Sequence, residues 1–470
     1  MVEFRSILCD QLTPIAIYKR VKELYQDEIT LFFESAINTS DGNFSFIFMG
    51  ARERIVHNNT QSNFISEDGN TKIIRNNPFA FLKEYYKKID ILKYKKLAKE
   101  AKVGFVDGFI GYIGYDAVKI FEDKLKKNMQ NLKDDLNIPD IVLIRPKITL
   151  AFSHKTNKLT LISEIKEKSK YFDEITDAIF KPYTPLEIIK TKINKSKGKF
   201  EFSKEQFFDM VEKSKDMIRS GDVFQIVLSN RFTQPANIDK LSFYRILRSK
   251  NPSPYMYLLD FNKFSIVGSS PEVMVALKDR QILLRPIAGT RKRGDNFLKD
   301  FELEKDMLND EKERAEHLML IDLGRNDVGK VAKVGTVEVK DMMRVEKYSH
   351  VMHMVSDVVA TLDEKYDMFD LFAATFTAGT MTGTPKIRAM ELIAEFEGLK
   401  RSYYSGVIGY FGFDGNMDSA ISIRTSYLDD KKIVFQAGAG VVADSKKELE
   451  YLEVQNKLQA LMSSLDDLSL

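Results

Sequence analysis

Two pairs of glutamates have the spacing of metal ligands. Glu313 and Glu316 lie three residues apart in EKERAEHLML, and Glu450 and Glu453 repeat that spacing in KELEYLEVQNK. Residues three apart share one face of a helix, so each pair is either a solvated helix face or two neighbouring ligands. If the two helices face each other, the converging carboxylates repel unless a cation lies between them. All-oxygen ligation beside an anionic ligand favours Mg²⁺.

Two glycine-rich segments resemble phosphate-binding loops, but each departs from its motif. GAGVVA, residues 438–443, leads into a helix, yet the chain stops at Leu470 before the second parallel strand of a dinucleotide-binding unit. In GTMTGTPK, residues 379–386, Lys386 does not directly follow the second glycine, as a P-loop requires. We therefore expect no nucleotide at either loop. Both turns precede a helix whose free amides favour an anion such as a carboxylate.

The composition excludes several classes of function. The chain has 470 residues, of which 44% are hydrophobic and 30% charged, as in an ordinary globular protein of one or two domains. A net charge of +3 gives no sign of a nucleic-acid partner. We expect no membrane span and no signal peptide, because the apolar runs are short and the N-terminus lacks a signal layout. The single cysteine, Cys9, excludes an internal disulfide and favours a cytoplasmic location.

The elements that must position these residues predict an α+β fold with antiparallel sheets. Strand-like runs follow one another in hairpin-like groups between helices, which differs from the regular alternation of a parallel sheet. The strand candidates include 223–232, three short runs within 255–286, and the segments 403–413, 417–428 and 432–440. We therefore expect antiparallel sheets with helices packed against them.

Several helices have recognisable start and stop residues. Ser203 followed by Gln206 predicts a capping box. Thr384 as N-cap, Pro385 at the first helical position and Gly398 at the end bound a second helix. The predicted helices cover 203–221, about 301–320, 384–398, and from about 445 onward.

One lysine-rich segment predicts a connector. Residues 190–202 are poor in apolar side chains until Phe200, which is typical of a link between regions. We therefore expect an N-terminal region, residues 1–189, and a second region, residues 203–466.

Nine long segments in order resemble the chorismate-utilising enzymes, and within that family the anthranilate synthase large subunits. They are GDVFQIVLSNRF, GSSPEVMV, RPIAGTRKRG, AEHLMLIDLGRND, SHVMHMVS, AGTMTGTPKIRAMELI, GVIGYFG, AISIRT and QAGAGVVADS. The resemblance covers nearly the whole chain and is densest from Phe200 to Lys457. It implies two interleaved subdomains whose antiparallel sheets pack face to face with helices outside, a four-layer α/β/β/α sandwich. It assigns 203–466 to the chorismate-binding catalytic domain and tryptophan-site elements to 1–189.

The resemblance also implies roles for individual residues. Glu316 and Glu453 become direct Mg²⁺ ligands, with Glu313 and Glu450 acting directly or through water. Glu272 becomes the acid that protonates the departing 4-hydroxyl of chorismate, and His353 takes part in eliminating pyruvate. In isolation, a surface acid and a core histidine would be the simpler interpretations. Further contacts to chorismate are implied for Gly289, Thr290, Gly379, Thr380, Tyr404, Arg424, Gly438, Ala439 and Gly440.

Two positions indicate which nucleophile is used. Ala288 lies in LLRPIAGTRKRG, where the similar aminodeoxychorismate synthases carry a lysine that attacks C2 of the ring. Because alanine is not a nucleophile, C2 stays open to ammonia, and the implied product is anthranilate. Gln225 stands where water-using relatives have a lysine, and a glutamine is no base at neutral pH.

The resemblance implies one protein partner and one inhibitor. Cys9 lacks the glycine-flanked turn of a glutaminase nucleophile, so a separate glutamine amidotransferase subunit, component II, is expected to supply ammonia. Tryptophan is the expected feedback inhibitor, with contacts at Glu34, Ser35, Pro254, Tyr255 and Met256. A third segment of that site, DGNFSFIF, residues 41–48, lacks the Arg or Lys that relatives carry.

Two alternatives remain open at this point. The first is an aminodeoxychorismate synthase component I, which Ala288 and the segment NPSPYMY, residues 251–257, disfavour. The second is a catalytically inactive, tryptophan-sensing partner protein. Such a protein would be expected to have lost acidic ligands or Glu272, and all of these are present.

Overall fold

A computed structural model describes residues 2–35, 44–75, 77–182, 185–348 and 351–470. Within these ranges the structure has twelve α-helices and 22 strands. The helices are α1 (Pro14–Leu24), α2 (Pro78–Tyr86), α3 (Ile91–Ala101), α4 (Leu125–Asn128), α5 (Lys168–Ile179), α6 (Lys204–Arg219), α7 (Lys240–Lys250), α8 (Phe297–Asn309), α9 (Glu311–Gly329), α10 (Met368–Thr375), α11 (Lys386–Glu397) and α12 (Lys447–Leu468). No helix in these ranges combines the length and the apolar character that a membrane crossing requires.

The strands pair with one another in antiparallel fashion throughout. They are β1 (Glu3–Leu8), β2 (Thr30–Glu34), β3 (Phe44–Asn58), β4 (Gln61–Ile65), β5 (Thr71–Ile74), β6 (Gly108–Ile113), β7 (Ile141–Ser153), β8 (Lys158–Ser163), β9 (Lys199–Phe200), β10 (Gln225–Pro235), β11 (Tyr255–Asp260), β12 (Ser265–Ser270), β13 (Val273–Lys278), β14 (Gln281–Leu284), β15 (Ile287–Lys292), β16 (Glu338–Lys347), β17 (Val351–Thr361), β18 (Gly383–Thr384), β19 (Val407–Gly412), β20 (Met417–Ile421), β21 (Thr425–Leu428) and β22 (Lys432–Val441).

Two long strands, β3 and β7, belong to both of two sheets and connect them. One sheet has the order β1-β8-β7-β3-β2-β11-β12-β21-β22-β10, and the other runs β5-β4-β3-β7-β6-β19-β20-β13-β14-β17. Strands β14 and β15 pair one after the other with the same edge of β17. Strand β16 pairs with the opposite edge of β17. The β3–β7 pairing shifts register between Ala51 and Glu53. A bulge of this kind lets strands turn from one sheet into the next.

Alternate side chains of the first sheet enter different cores. Leu31 and Phe32 are neighbours on β2, yet Leu31 packs into the core shared with the second sheet, and Phe32 packs beneath helices. Successive strand residues point to opposite faces, so the first sheet is covered by α1, α5, α6, α7 and α12 on one side. Helices α2, α3, α9 and α10 contribute to the other core. This arrangement confirms the predicted fold class.

Local sequence signals placed two helices well. The predicted capping box is present, since the Gln206 amide donates to Ser203 Oγ at 3.3 Å and the Ser203 amide donates to Gln206 Oε1 at 2.8 Å. Helix α11 ends at Gly398, which has the left-handed φ of +56° that glycine tolerates. Pro385 is the N-cap of α11 rather than its first helical residue.

Three boundaries differ from the prediction. The single helix expected at about 301–320 is divided at Asp310, because the Asp310 carboxylate accepts the Glu313 amide at 3.1 Å and starts a new helix, α9. Four strands, β11 to β14, replace the three expected within 255–286. The segment 417–428 forms two strands, separated by a turn in which Arg424 has a φ of +51°.

Strands from both sides of the predicted connector pair with one another. Strand β2 pairs with β11, and β6 pairs with β19. Residues 190–202 themselves contain a short 3₁₀ helix, Lys195–Lys197, and strand β9, which pairs with β10. The division into 1–189 and 203–466 stays a prediction, and the two segments share both sheets.

Candidate active site

The two glutamate pairs lie close together, on α9 and α12. Burial raises the pKa of Glu316, and the charge of Glu453 on the other helix adds to that rise. Burial likewise raises the pKa of Glu450, and Glu453 again contributes by repulsion. Lys312 on α9 acts in the opposite direction on Glu316 and Glu450. Glu316 on α9 and Glu453 on α12 are therefore within range of each other's charge.

Each of these carboxylates has a protein partner. Gln225 donates from Nε2 to Glu316 Oε1 at 3.0 Å, and Arg291 forms an ion pair with Glu313 Oε1. The second oxygen of Glu313, Oε2, is buried and has no hydrogen-bond partner. Across the described ranges, no three acidic, histidine or cysteine side chains are arranged to hold a metal ion as they stand.

The donor set nevertheless fits a hard divalent cation. All four predicted ligands are carboxylates, burial and then the charge of Glu453 raise the pKa values of Glu316 and Glu450, and Glu313 Oε2 lacks a partner. Oxygen donors of this kind suit Mg²⁺, which binds through a few carboxylates and keeps some of its waters.

Lys457 is a site residue that sequence reasoning missed. Its ammonium donates to Glu453 Oε1 at 2.6 Å and to the Gly438 carbonyl at 2.9 Å. The same positive charge offsets part of the burial-induced rise in the pKa values of Glu272, Glu316 and Glu450. The available signal was its position four residues after Glu453, which places both side chains on one helix face.

Glu272 is a buried carboxyl group whose surroundings favour the protonated form. It follows β12, is 7% exposed, and burial raises its pKa to about 8. Thr380 donates from Oγ1 to Glu272 Oε1 at 3.0 Å, which only partly offsets the effect of burial. At neutral pH this group holds a proton that it can give to a substrate oxygen.

His353 on β17 is held by contacts with strand β15. Its Nδ1 lies 3.2 Å from the Gly289 carbonyl and 3.0 Å from Thr290 Oγ1. A carbonyl can only accept, so Nδ1 carries the hydrogen and Nε2 has the free lone pair. Burial lowers the pKa of His353, which favours the neutral ring. The Tyr348 ring lies against it, with centroids 5.7 Å apart. Ser349 and His350, part of the segment SHVMHMVS, lie outside the described residues.

The strand that carries Ala288 has a register shift at the next residue. Ala288 is opposite Met354 and Thr290 is opposite His353, while Gly289 between them has a φ of +61°. A Cβ at Gly289 would lie 2.6 Å from Glu313 Oε2. Strand β15 therefore lies directly against Glu313 of α9.

Two polar side chains, Arg424 and Tyr404, lie near Lys457 and Gly438. Arg424 donates from Nη1 to the Lys457 carbonyl. The buried Tyr404 hydroxyl has no hydrogen-bond partner, and a Cβ at Gly438 would lie 2.9 Å from it. An orphaned buried hydroxyl is costly, so this group is suited to a ligand.

The amide and carbonyl of Gly438 face away from the neighbouring strand β10. Gly438 lies opposite Ser229 of β10. The Ser229 amide points away from β22 and donates to Glu397 Oε1 at 2.8 Å. Gly438 therefore belongs to a non-hydrogen-bonded pair, and its polar groups point outward, toward Lys457. Gly440, two residues along the strand, has the same orientation.

Ala439 has the opposite orientation. It pairs with Leu228 of β10. Because amide direction alternates along an antiparallel strand, the Ala439 amide is directed toward β10 and belongs to the hydrogen bonding between the two strands. Of the three amides expected to hold a carboxylate, those of Gly438 and Gly440 face the site.

The residues expected to bind tryptophan form a separate group. Glu34 lies opposite Met256 in the β2–β11 pairing, and its Oε1 accepts the Tyr244 hydroxyl at 2.7 Å and the Arg248 guanidinium. Its second oxygen, Oε2, is buried without a hydrogen-bond partner. Tyr255 donates to Asp418 Oδ1 at 3.0 Å. Pro254 directly precedes β11 and Ser35 directly follows β2.

One part of the expected tryptophan site cannot be placed. Residues 41–43 of the segment DGNFSFIF lie outside the described residues, and Phe44–Phe48 belong to β3.

Comparison with known proteins gives one consistent result. A family model described as chorismate binding enzyme matches residues 29–463. The chain is 41% identical to anthranilate synthase component 1 of Aquifex aeolicus (strain VF5), covering 98% of this chain and 94% of that protein. It is 39% identical to anthranilate synthase component 1 of Lactococcus lactis subsp. lactis (strain IL1403), covering 98% and 99% respectively.

Solved structures agree. The crystal structure of anthranilate synthase component I from Streptococcus pneumoniae TIGR4 superposes with a TM-score of 0.79 at 33% identity, covering 97% of this chain and 98% of that one. MenF, the menaquinone-specific isochorismate synthase from Escherichia coli, matches with a TM-score of 0.72 over 99% and 95% of the chains. At 16% identity, the MenF match shows the fold alone.

Proposed function

Because this chain belongs to the family of chorismate-binding enzymes, we propose that it is the large, synthase component of an anthranilate synthase. It converts chorismate and ammonia to anthranilate and pyruvate, the first committed step of tryptophan biosynthesis. The observation that carries the proposal is Glu272, a carboxyl that is 7% exposed, accepts the Thr380 hydroxyl at 3.0 Å, and has its pKa raised by burial to about 8. The conversion needs such an acid, because hydroxide is a very poor leaving group.

The carboxylates of α9 and α12 would hold Mg²⁺. Glu316 and Glu453 are the direct ligands in this proposal, with Glu313 and Glu450 acting directly or through water. When bound, Mg²⁺ withdraws electron density through the ring carboxylate of chorismate and makes C2 more electrophilic. Because Lys457 is paired with Glu453, its ammonium limits the repulsion within the cluster.

The remaining contacts orient chorismate. Gly289 and Thr290 lie beside the ring carboxylate, next to Glu313. Arg424 and the unpartnered Tyr404 hydroxyl bind the enolpyruvyl end. Its carboxylate is held by the outward amides of Gly438 and Gly440, whereas the Ala439 amide faces β10. Gly379 and Thr380 complete the wall beside Glu272.

The chemistry then follows in two stages. Glu272 gives its proton to the 4-hydroxyl as ammonia adds to C2. His353, neutral and with Nε2 free, takes the C2 proton as pyruvate leaves and the ring becomes aromatic. The Gly289 carbonyl fixes the required tautomer of His353.

Two residues exclude other nucleophiles. Ala288 cannot attack C2, in contrast to the lysine that the resemblance places there in aminodeoxychorismate synthases. Gln225 uses its amide to donate to Glu316 and cannot activate water. The product expected from both residues is anthranilate.

The isolated chain is expected to use ammonium but not glutamine. Its one cysteine, Cys9, is buried and has no glycine-flanked turn, so a glutamine amidotransferase subunit must supply ammonia. The measurement is anthranilate fluorescence and pyruvate release with chorismate, Mg²⁺ and either ammonium or glutamine at alkaline pH. Glutamine-dependent turnover by the pure chain would refute the need for that partner.

We place both subunits in the cytoplasm, where a free thiol persists.

Tryptophan is the proposed inhibitor, bound at Glu34, Ser35, Pro254, Tyr255 and Met256. The buried, unpartnered Glu34 Oε2 supports this assignment, because it can accept the ammonium group of an amino acid. Tyr255 pairs with Ser270 on β12, two residues before Glu272. The β11–β12 hairpin thus provides a short connection between the two sites.

Replacing a ligand carboxylate should weaken Mg²⁺ use while leaving the fold intact. Glu316→Gln and Glu453→Gln keep the side-chain size but remove one negative charge, so we expect activity to fall at least ~10-fold. The half-saturating Mg²⁺ concentration should rise in both variants. Glu448→Gln, an exposed position on α12, is the matched control. Unchanged magnesium dependence in both variants would show that the two helices do not share an ion.

A further inference from the structure

A small cavity adjoins the acid side of the proposed site. Its volume is about 30 Å³, and its lining includes the polar residues Glu272, Thr380, Thr375 and Asp327 together with Leu320 and other apolar side chains. A water molecule needs roughly 10–15 Å³ of such space. The cavity therefore has room for one or two waters and for nothing larger.

We propose that this cavity receives the water that leaves C4 of chorismate. The inference rests on the proposed function, in which Glu272 protonates the 4-hydroxyl. The nitrogen of ammonia bonds to C2, the two ring double bonds shift, and the C4–O bond breaks with its electron pair on oxygen. The Glu272 proton joins that oxygen to form water. The new C2 ammonium group then returns one proton to the Glu272 carboxylate, so atoms and charge balance.

The location of the cavity fits the departing water rather than the arriving ammonia. Glu272, which acts at C4, lines it, whereas Ala288 and Gly289, which lie at the C2 side, do not. Glu272 is 7% exposed, so bulk solvent has little access to the carboxyl group that gives the proton.

Two further polar residues that line the cavity, Asp327 and Thr375, can bind a water. Asp327 is paired with Lys386 and, at 3.0 Å, with Lys330, and its carboxylate has further lone pairs that can accept. The Thr375 hydroxyl donates to the Leu371 carbonyl at 2.9 Å and can also accept. These acceptors give the water a hydrogen-bonded destination within the cavity.

Filling the cavity tests the proposal. Gly324 on α9 lines it, and a Cβ there would lie 3.0 Å from Leu284 Cδ2, which also lines it. Gly324→Ala should therefore reduce the space while favouring the helix. Gly329→Ala, in the same helix with no atom within 4 Å of its new Cβ, is the matched control. Ala378 also lines the cavity, and Ala378→Val is a second variant that should reduce the space.

The two stages of the reaction should respond differently. In single turnovers with chorismate and ammonium, Gly324→Ala and Ala378→Val should slow amination roughly 3- to 10-fold, with KM for chorismate little changed. Conversion of the supplied aminated, non-aromatic intermediate to anthranilate should keep the parent rate, since no water leaves in that stage. A merely structural disturbance would slow both stages.

Two results would overturn the inference. The first is that Gly324→Ala and Ala378→Val both carry out amination as fast as the control Gly329→Ala. The second is that these two variants slow amination and elimination to the same extent. Failure of the parent chain to make any anthranilate would instead refute the proposed function itself.

Discussion

Replacing Glu272 with glutamine is expected to lower kcat for anthranilate formation by roughly 10²- to 10⁴-fold, the usual contribution of a positioned general acid. Glutamine keeps the shape of the side chain and can still accept the Thr380 hydroxyl, which donates to Glu272 at 3.0 Å. It has no acidic proton for the leaving hydroxyl. Chorismate KM should change little. Glu395→Gln, an exposed position on α11, is the control for the substitution itself.

The pH profile of the parent enzyme gives a second measure of Glu272. Its pKa of about 8 means that the active, protonated form is present at lower pH and is lost as pH rises through about 8. Rates divided by the concentration of free ammonia should therefore decline above that pH. A flat profile from pH 7 to pH 9.5 would mean that another group is the acid.

Stability should depend on pH in the corresponding direction. The folded state raises the Glu272 pKa above its ordinary value of 4.5, so it binds more protons than the unfolded chain between that value and about 8. The contribution of this group to stability falls as pH rises through that interval. Glu272→Gln does not titrate, so its Tm relative to the parent should increase with pH.

Replacing Ala288 with lysine is expected to reduce anthranilate formation strongly, by roughly 10²-fold or more, if this position faces C2. The new amine would either bond to the ring or block the approach of ammonia. Chorismate binding should suffer less, because Arg424 and the outward amides of β22 lie elsewhere in the pocket. The measurements are anthranilate formation at saturating chorismate and ammonium, and the intact mass of the protein.

Ala288→Met separates the two effects, because it adds similar length without an amine. An adduct of the mass of chorismate less one water, in the lysine variant alone, would identify attack at C2 with loss of the 4-hydroxyl. Equal loss in both variants without an adduct would identify simple obstruction. Anthranilate formation at the parent rate by Ala288→Lys would show that this residue does not face C2, and the main reason for expecting anthranilate would fall.

The sequence by itself determined the local elements and the family. Ser203 and Gln206 specified a helix start, and Gly398 a helix end, because these signals act through amides only a few residues away. The hairpin-like succession of strands specified an antiparallel α+β fold, which the structure confirms. Long ordered segments such as AGTMTGTPKIRAMELI identified the chorismate-binding family.

The same local reasoning failed where a side chain acts on the backbone. A continuous charged pattern predicted one helix at about 301–320, but the Asp310 carboxylate caps a new helix there. Likewise, Arg424 adopts a φ of +51° between β20 and β21, which no alternation of polar and apolar residues reveals.

The tertiary structure alone decided the properties of the site. The pKa of Glu272 depends on burial by residues remote in sequence, and the raised pKa values of Glu316 and Glu450 depend on two helices meeting. Lys457 became a site residue only because α12 brings its ammonium to the Gly438 carbonyl on β22. Desolvation and Coulomb interactions depend on distances through space, and these distances exist only once the chain has folded.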